Sequence, residues 1–292
     1  MLTVINCIVY AHDYRFVAAA LFICTIGSIV TIRLFARGRR AVRAKHAVLI
    51  LMAGLAGGMT IWTTHFLAML GFMPKVGHGF EPIYTLVSLA VAIATSISGL
   101  FLAARRQTGP MVEFGGFVLG CGIAVMHFLG MAGFVVAGRI DYDPAFVIAA
   151  IVGGAALGML ATNRVADGKG HRGVALGIVA LILGIGFMHF TAMGAVQITP
   201  DPRVAVPTQI LSVPVMVTLV MAMTVLVMLL GLATHMAEEQ GEKEAVEHYR
   251  HLALHDPLTG LPNRAAVRDE LPRRLKDAAG MSLAIIAVDL NR

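Results

Sequence analysis

Charge is what this sequence has least of: Asp, Glu, Lys and Arg make up only 14% of its 292 residues, against 58% apolar ones. A soluble domain of this size carries roughly a quarter of its residues charged, so an ordinary water-soluble fold is excluded. Cysteine is scarce as well. Cys7, Cys24 and Cys121 are odd in number and show no CxxC spacing, which offers no disulfide framework and leaves buried, inert thiols as the reading. The N-terminus lacks a basic region, and no small-residue cleavage site follows the first apolar run. That run therefore reads as an uncleaved span rather than a signal peptide.

What the chain has in abundance is apolar runs of about 20 residues, each long enough to cross a ~30 Å hydrocarbon core. They lie near Phe16–Ile32, Ala47–Phe72, Ile83–Ala103, Val112–Ala137, Ala145–Thr162, Val174–Val196 and Leu211–Thr234. The expected fold class is an all-α transmembrane bundle of seven helices. The net charge of +6 follows from where the basic residues stand. The loop after the first span holds Arg33, Arg37, Arg39, Arg40, Arg43 and Lys45; Arg105, Arg106, Arg164, Lys169 and Arg172 follow on the same side. The opposite side offers Arg15, Lys75, Arg139 and Arg203. This asymmetry places the N-terminus outside and the C-terminus in the cytoplasm, which an odd number of spans satisfies. The basic residues are read as topology determinants and lipid-headgroup contacts, and nucleic acid is not an expected partner.

An internal repeat organises the membrane part. His65-Phe66-Leu67-Ala68-Met69, His127-Phe128-Leu129-Gly130-Met131 and His189-Phe190-Thr191-Ala192-Met193 are one phrase three times, with the histidines 62 residues apart on both occasions. Gly71, Gly133 or Ala195 follows six residues after each His. This period corresponds to two helices per repeat, and an even number of spans keeps the repeats parallel about an axis along the membrane normal. The expectation is three parallel two-helix repeats whose second helix carries the motif, with the seventh span outside the pattern. Residues four apart in a helix lie on one face, so each His shares its face with its Met. Met126 and Met188 precede the second and third histidines and point about 100° away; Thr64 takes their place in the first copy.

Lone intramembrane histidines are commonly satisfied core residues, yet an ionisable ring in a span is a functional candidate by default. Three at one depth, each with a Met on its face, predict convergence in one layer. Imidazole with thioether suits a soft or borderline metal. Copper is the first candidate, held by His65, His127, His189, Met69, Met131 and Met193. Zinc is less suited, because it rarely takes Met. Haem held by His and Met, as in a gas sensor or electron-transfer protein, is the alternative. A transporter or proton relay is a further rival, disfavoured because the spans carry no Asp, Glu or Lys to complete a relay. His12 and His78 are read as exposed loop histidines without a role, or else as ligands guiding metal inward.

Met188-His189-Phe190-Thr191 is the best copy of a motif that, repeated on alternate helices of a seven-span chain, resembles the MHYT family of bacterial membrane sensor domains. The first copy departs at Thr64-His65 and the second at Leu129; His12-Asp13-Tyr14 resembles the family's N-terminal part. The resemblance covers roughly residues 8–235. It implies a sensor in the bacterial inner membrane, binding copper and responding to a diatomic gas or to redox state.

After the seventh span the composition turns charged, with Glu238, Glu239, Glu242, Lys243, Glu244, Glu247 and Arg250 in a stretch free of proline. A helix is expected to run on to about Leu254, either as a solvated connector or as a coiled coil that pairs two copies of the chain. His255-Asp256-Pro257-Leu258-Thr259-Gly260-Leu261-Pro262-Asn263-Arg264 then forms a turn, followed by a helix over about Ala265–Ala278 and a buried strand over Leu283–Asp289. This phrase closely resembles the opening of GGDEF domains, the catalytic fold of diguanylate cyclases. The expected organisation is thus a sensor over residues 1–235, a linker helix over 236–253 and the truncated α/β start of a GGDEF domain over 254–292. By resemblance, Asp289 stands where that family holds Mg²⁺ against the GTP phosphates. The signature hairpin does not occur before Arg292, so no cyclase activity is expected of these residues alone; the parent would be a diguanylate cyclase, a cyclic-di-GMP phosphodiesterase, or both.

Overall fold

The computed structural model describes residues 11–105, 108–167, 170–204, 206 and 208–277. Seven of its helices have the length and apolarity to cross a membrane: α1 Tyr14–Arg40, α2 Arg43–Leu70, α3 Pro82–Ala104, α4 Pro110–Ala132, α5 Pro144–Ala166, α6 Gly170–Gly194 and α7 Val213–Leu254. A shorter helix, α8, spans Arg264–Asp277, and short strands β1 His78–Phe80, β2 Phe134–Val136, β3 Gly138–Tyr142 and β4 Val196–Pro200 lie in the connections. The molecule is a multi-pass membrane protein.

The strands correct the predicted spans. The fourth run was expected to continue to Ala137 and the sixth to Val196, but α4 ends at Ala132 and α6 at Gly194. Phe134, Val135, Val136 and Val196 are apolar enough to prolong a hydropathy run, yet they favour strand. They pair instead in two antiparallel ribbons, β1 with β2 and β3 with β4. The opposite end also differs from expectation. Arg33, Arg37, Arg39 and Arg40 sit in the last turns of α1 rather than in a loop. Arg39 is buried and donates to the Ala103 carbonyl of α3 at 2.5 Å, with its guanidinium over the Phe35 ring.

Three hairpins, α1–α2, α3–α4 and α5–α6, build the bundle, and one hydrogen bond recurs in each. The backbone N–H of Asp13 donates to Gly71 O at 2.8 Å, that of Glu81 to Gly133 O at 2.8 Å and that of Asp143 to Ala195 O at 2.9 Å. Each of these acids also caps its own helix, accepting from Arg15, Tyr84 or Ala145 backbone N–H at 2.8–2.9 Å, which satisfies a donor that the helix itself leaves unpaired. The residue six positions after each motif histidine is therefore the latch of its hairpin. Neighbouring hairpins adjoin in turn and α6 returns to α1, closing a ring; α6 lies against α1 more sparsely than α2 against α3 or α4 against α5. The motif helices α2, α4 and α6 are more buried than α1, α3 and α5, so the histidine-bearing helices form the inside. The first hairpin is the longest, with helices of 27 and 28 residues against 23 for α3, α4 and α5. The period of the motif helices therefore does not carry over to α1.

Up to Leu232 the chain forms one compact unit. Within it, α7 buries Met216, Val220, Thr224 and Val227, a single stripe at helical spacing, while its other faces are exposed. Residues from Ala233 onward form a second unit, in which α7 continues to Leu254 without a break. Asp256 then accepts from the backbone N–H of Leu258 and Thr259 and from the Thr259 hydroxyl at 2.9–3.0 Å. These bonds hold its carboxyl below the usual carboxylate range. Asn263 caps α8 through the Ala265 and Ala266 N–H groups. Cys7, the strand expected over Leu283–Asp289 and Asp289 itself lie outside the described residues.

Candidate metal centre

His65, His127 and His189 come from α2, α4 and α6 and meet at the bundle axis, 2%, 0% and 4% exposed. The Nδ1 of His65 stands 3.2 Å from the Nδ1 of His127 and 3.2 Å from that of His189. The three ring centroids are 4.8–5.3 Å apart and the rings meet edge to face. Among the described residues this is the one group of three His, Cys, Asp or Glu side chains whose ligand atoms cluster closely enough for a metal ion. Each Nε2 is buried without a hydrogen-bond partner.

Proton counting shows that the rings do not satisfy one another. A neutral imidazole carries one N–H and one lone pair. His65 Nδ1 faces two other Nδ1 atoms, so whichever tautomer it takes, one of these contacts lacks a proper donor–acceptor pair. A ring that accepts at Nδ1 carries its proton on an Nε2 that has no acceptor. Unsatisfied buried polar groups are costly. A cation at the Nδ1 focus resolves the crowding. The 3.2 Å that separates His65 Nδ1 from each of the other two is a spacing that metal–imidazole bonds of ~2.0–2.1 Å would bridge. The donor set therefore fits a single metal ion. It does not fit a haem bound between these rings, because centroids 4.8–5.3 Å apart leave no room for a macrocycle among them.

The neighbours of the trio repeat as the trio does. Phe66, Phe128 and Phe190 each stand edge-on to the preceding histidine, with centroids 4.7–5.1 Å apart. Each is also met by an aromatic ring just before the first helix of a hairpin: Phe66 by Phe80, Phe128 by Tyr142 and Phe190 by His12. Met69, Met131 and Met193 are all buried, one helical turn beyond their histidines. Met126 and Met188 are buried as well.

His12 is a residue that sequence reasoning misjudged. Read as an exposed loop histidine, it is 3% exposed, with its ring centroid 6.1 Å from that of His189. The signal for it was its position one residue before the capping Asp13, where the other hairpins carry Phe80 and Tyr142 before Glu81 and Asp143. His78 is exposed in β1, as expected. Glu113 needs a correction of the relay argument, since it stands just inside the predicted fourth span. It lies in the first turn of α4, where its carboxylate accepts from Asn163 Nδ2. Fourteen residues of helix, or ~21 Å, separate it from His127, and it completes no relay.

Seven apolar helices, three internal repeats and a buried imidazole trio at their axis define a membrane bundle organised around intramembrane histidines. Three successive segments, residues 58–116, 120–178 and 183–242, match the MHYT family, described as a bacterial signalling protein N-terminal repeat. The chain belongs to this family. It is 35% identical over 252 residues to an uncharacterized signaling protein of Caulobacter vibrioides, covering 85% of this chain and 31% of that protein. It is 28% identical over 313 residues to the bifunctional diguanylate cyclase/cyclic di-GMP phosphodiesterase MucR of Pseudomonas aeruginosa, covering 97% of this chain and 44% of the relative. With the cyclic di-GMP phosphodiesterase NbdA of the same organism it shares 28% identity over 273 residues, 80% of this chain and 33% of the relative. The chain thus spans less than half the length of these relatives. No solved structure matches it.

Proposed function

We propose that the bundle is the copper-binding sensor of a cyclic-di-GMP signalling protein in the bacterial inner membrane, responsive to a diatomic gas or to redox state. The carrying observation is the meeting of three Nδ1 atoms whose protons cannot be arranged to satisfy one another. His65, His127 and His189 hold the ion, and Met69, Met131 and Met193 are the soft donors one turn beyond them. Copper, when bound, supplies an ion that changes oxidation state and takes diatomic ligands. The chain's own part is to fix the imidazoles by the edge-on phenylalanines and to keep water from them by burial. The charge asymmetry orients the motif end outward. Residues 254–292 then face the cytoplasm as the start of a GGDEF-type output, in which Asp289 would hold Mg²⁺ with GTP. The output side of the reading is supported by the enzyme names of the two Pseudomonas relatives. The continuous α7 is the connection between the two, and its cytoplasmic turns would pair two copies of the chain.

Elemental analysis and a visible spectrum of purified protein test the metal: one copper per chain without a Soret band is expected. Metal-free protein, or a haem spectrum, would overturn it. A second measurement tests orientation. Reporter fusions within residues 236–250 should report the cytoplasm, and a periplasmic signal there would break the link from sensor to output.

A further inference from the structure

The three seams between hairpins are built alike but filled differently. By position in the repeat, each has one residue three before a motif histidine and one just before the next. In the α2–α3 seam these are Trp62 and Met126; Trp62 is buried, and its Nε1 donates to Thr85 O and Ser88 Oγ of α3 at 3.0 and 3.2 Å. In the α4–α5 seam they are Ala124 and Met188, and a Cβ placed on Gly154 of α5 would meet Met188 Cγ at 3.1 Å. The α6–α1 seam has Gly186 and Thr64 instead. Both are small, and the space is not made up. A cavity of about 110 Å³ remains, bordered by Ala20 and Cys24 of α1, Thr64 and Ala68 of α2, and Gly186 and His189 of α6. A Cβ on Gly186 would meet nothing within 4 Å.

We infer that this seam is a binding site for a small apolar gas molecule, reached from the lipid and walled on its inner side by His189. Nearly all the surface the cavity presents is apolar. A water held there would want two to four polar partners, whereas an apolar cavity of this order stays dry and takes xenon or a small hydrocarbon. Leu21 also lines the cavity and is 57% exposed on the outer surface of the bundle. The outer wall is therefore one side chain thick on the side that faces acyl chains, where apolar gases partition. Its inner wall is a ring of the trio itself. The cavity thus gives one histidine of three a route to the bilayer. The inference rests on the gas-responsive reading of the histidine centre, and the test separates the two.

Xenon is the probe. Purified wild-type protein under xenon pressure, followed by xenon NMR or by anomalous diffraction, should bind one atom in this seam, and Gly186→Leu should abolish the site. Thr64→Met, which restores the residue of the other two repeats, should do the same if the leucine variant does not fold. Copper content should be unchanged in either variant. CO association with the reduced copper protein should slow about tenfold or more, since the route and not the ion is altered. No xenon in the seam, or xenon unaffected by both substitutions, overturns the inference. A wild type whose copper takes no CO counts against the gas-responsive reading, and the xenon result still decides whether the seam is a gas site.

Discussion

Replacing any one of His65, His127 or His189 by Ala is expected to strip copper from the purified protein. Removal of an outer partner that merely orients a ligand weakens metal binding by ~10–100-fold. Removal of one of three ligands should exceed the top of that range, leaving well below one copper per chain after equilibration with a chelator. Met126→Leu and Met188→Leu are the controls. Both side chains are buried next to the histidines in sequence, both substitutions conserve volume, and neither removes a residue of the His–Met face, so copper content should stay within a few-fold of wild type. Met69→Leu should fall between, because it takes away a thioether and leaves the imidazoles. Thermal unfolding of the metal-free variants separates ligand loss from misfolding, since a variant that melts like apo wild type and holds no copper has lost only the site. Equal copper retention across the histidine and methionine variants would reduce the trio to helix packing, and the proposed function would fall with it.

Much of this centre was legible in the sequence because membrane helices obey few rules and obey them strictly. A repeat of 62 residues fixes two crossings per copy, and equal spacing fixes equal depth. An imidazole facing lipid would lose its hydrogen bonds, which leaves the axis as the place where the three rings meet. What the sequence hid was whatever hydropathy does not register. Phe134–Val136 and Val196 read as helix because apolar content is the same in a strand. The burial of His12 follows from the latch between Asp13 and Gly71, and its partners are aromatic rings on other elements. Thr64 was visible as a departure from the motif, but its consequence was not. Only the pairing of seams sets Thr64 opposite Gly186, and no count along one helix brings those two residues together.

The same comparison of seams makes Trp62 the side chain whose loss should cost most among those away from the histidines. In lipid there is no hydrophobic drive between helices, so the bundle is held by close packing and by hydrogen bonds across it. Trp62 supplies both: it is 1% exposed, rests against Phe66 with centroids 4.8 Å apart, and donates to Thr85 O and Ser88 Oγ. Trp62→Ala removes those bonds and leaves a void between α2 and α3. Truncations of this size in well-packed cores cost ~3–5 kcal/mol. Trp62→Phe keeps most of the volume and loses the N–H, while Thr85 O keeps the Ser88 hydroxyl as a donor, so it should cost ~0.5–1.5 kcal/mol, the net contribution of a hydrogen bond. Unfolding of the detergent-solubilised protein should order the three as wild type, Phe, Ala. The alanine variant should also gain a second xenon site, in the seam that Trp62 now closes. An alanine variant as stable as wild type and without new xenon would mean that the α2–α3 seam is held shut by something other than Trp62, and the contrast with Gly186 would lose its physical basis.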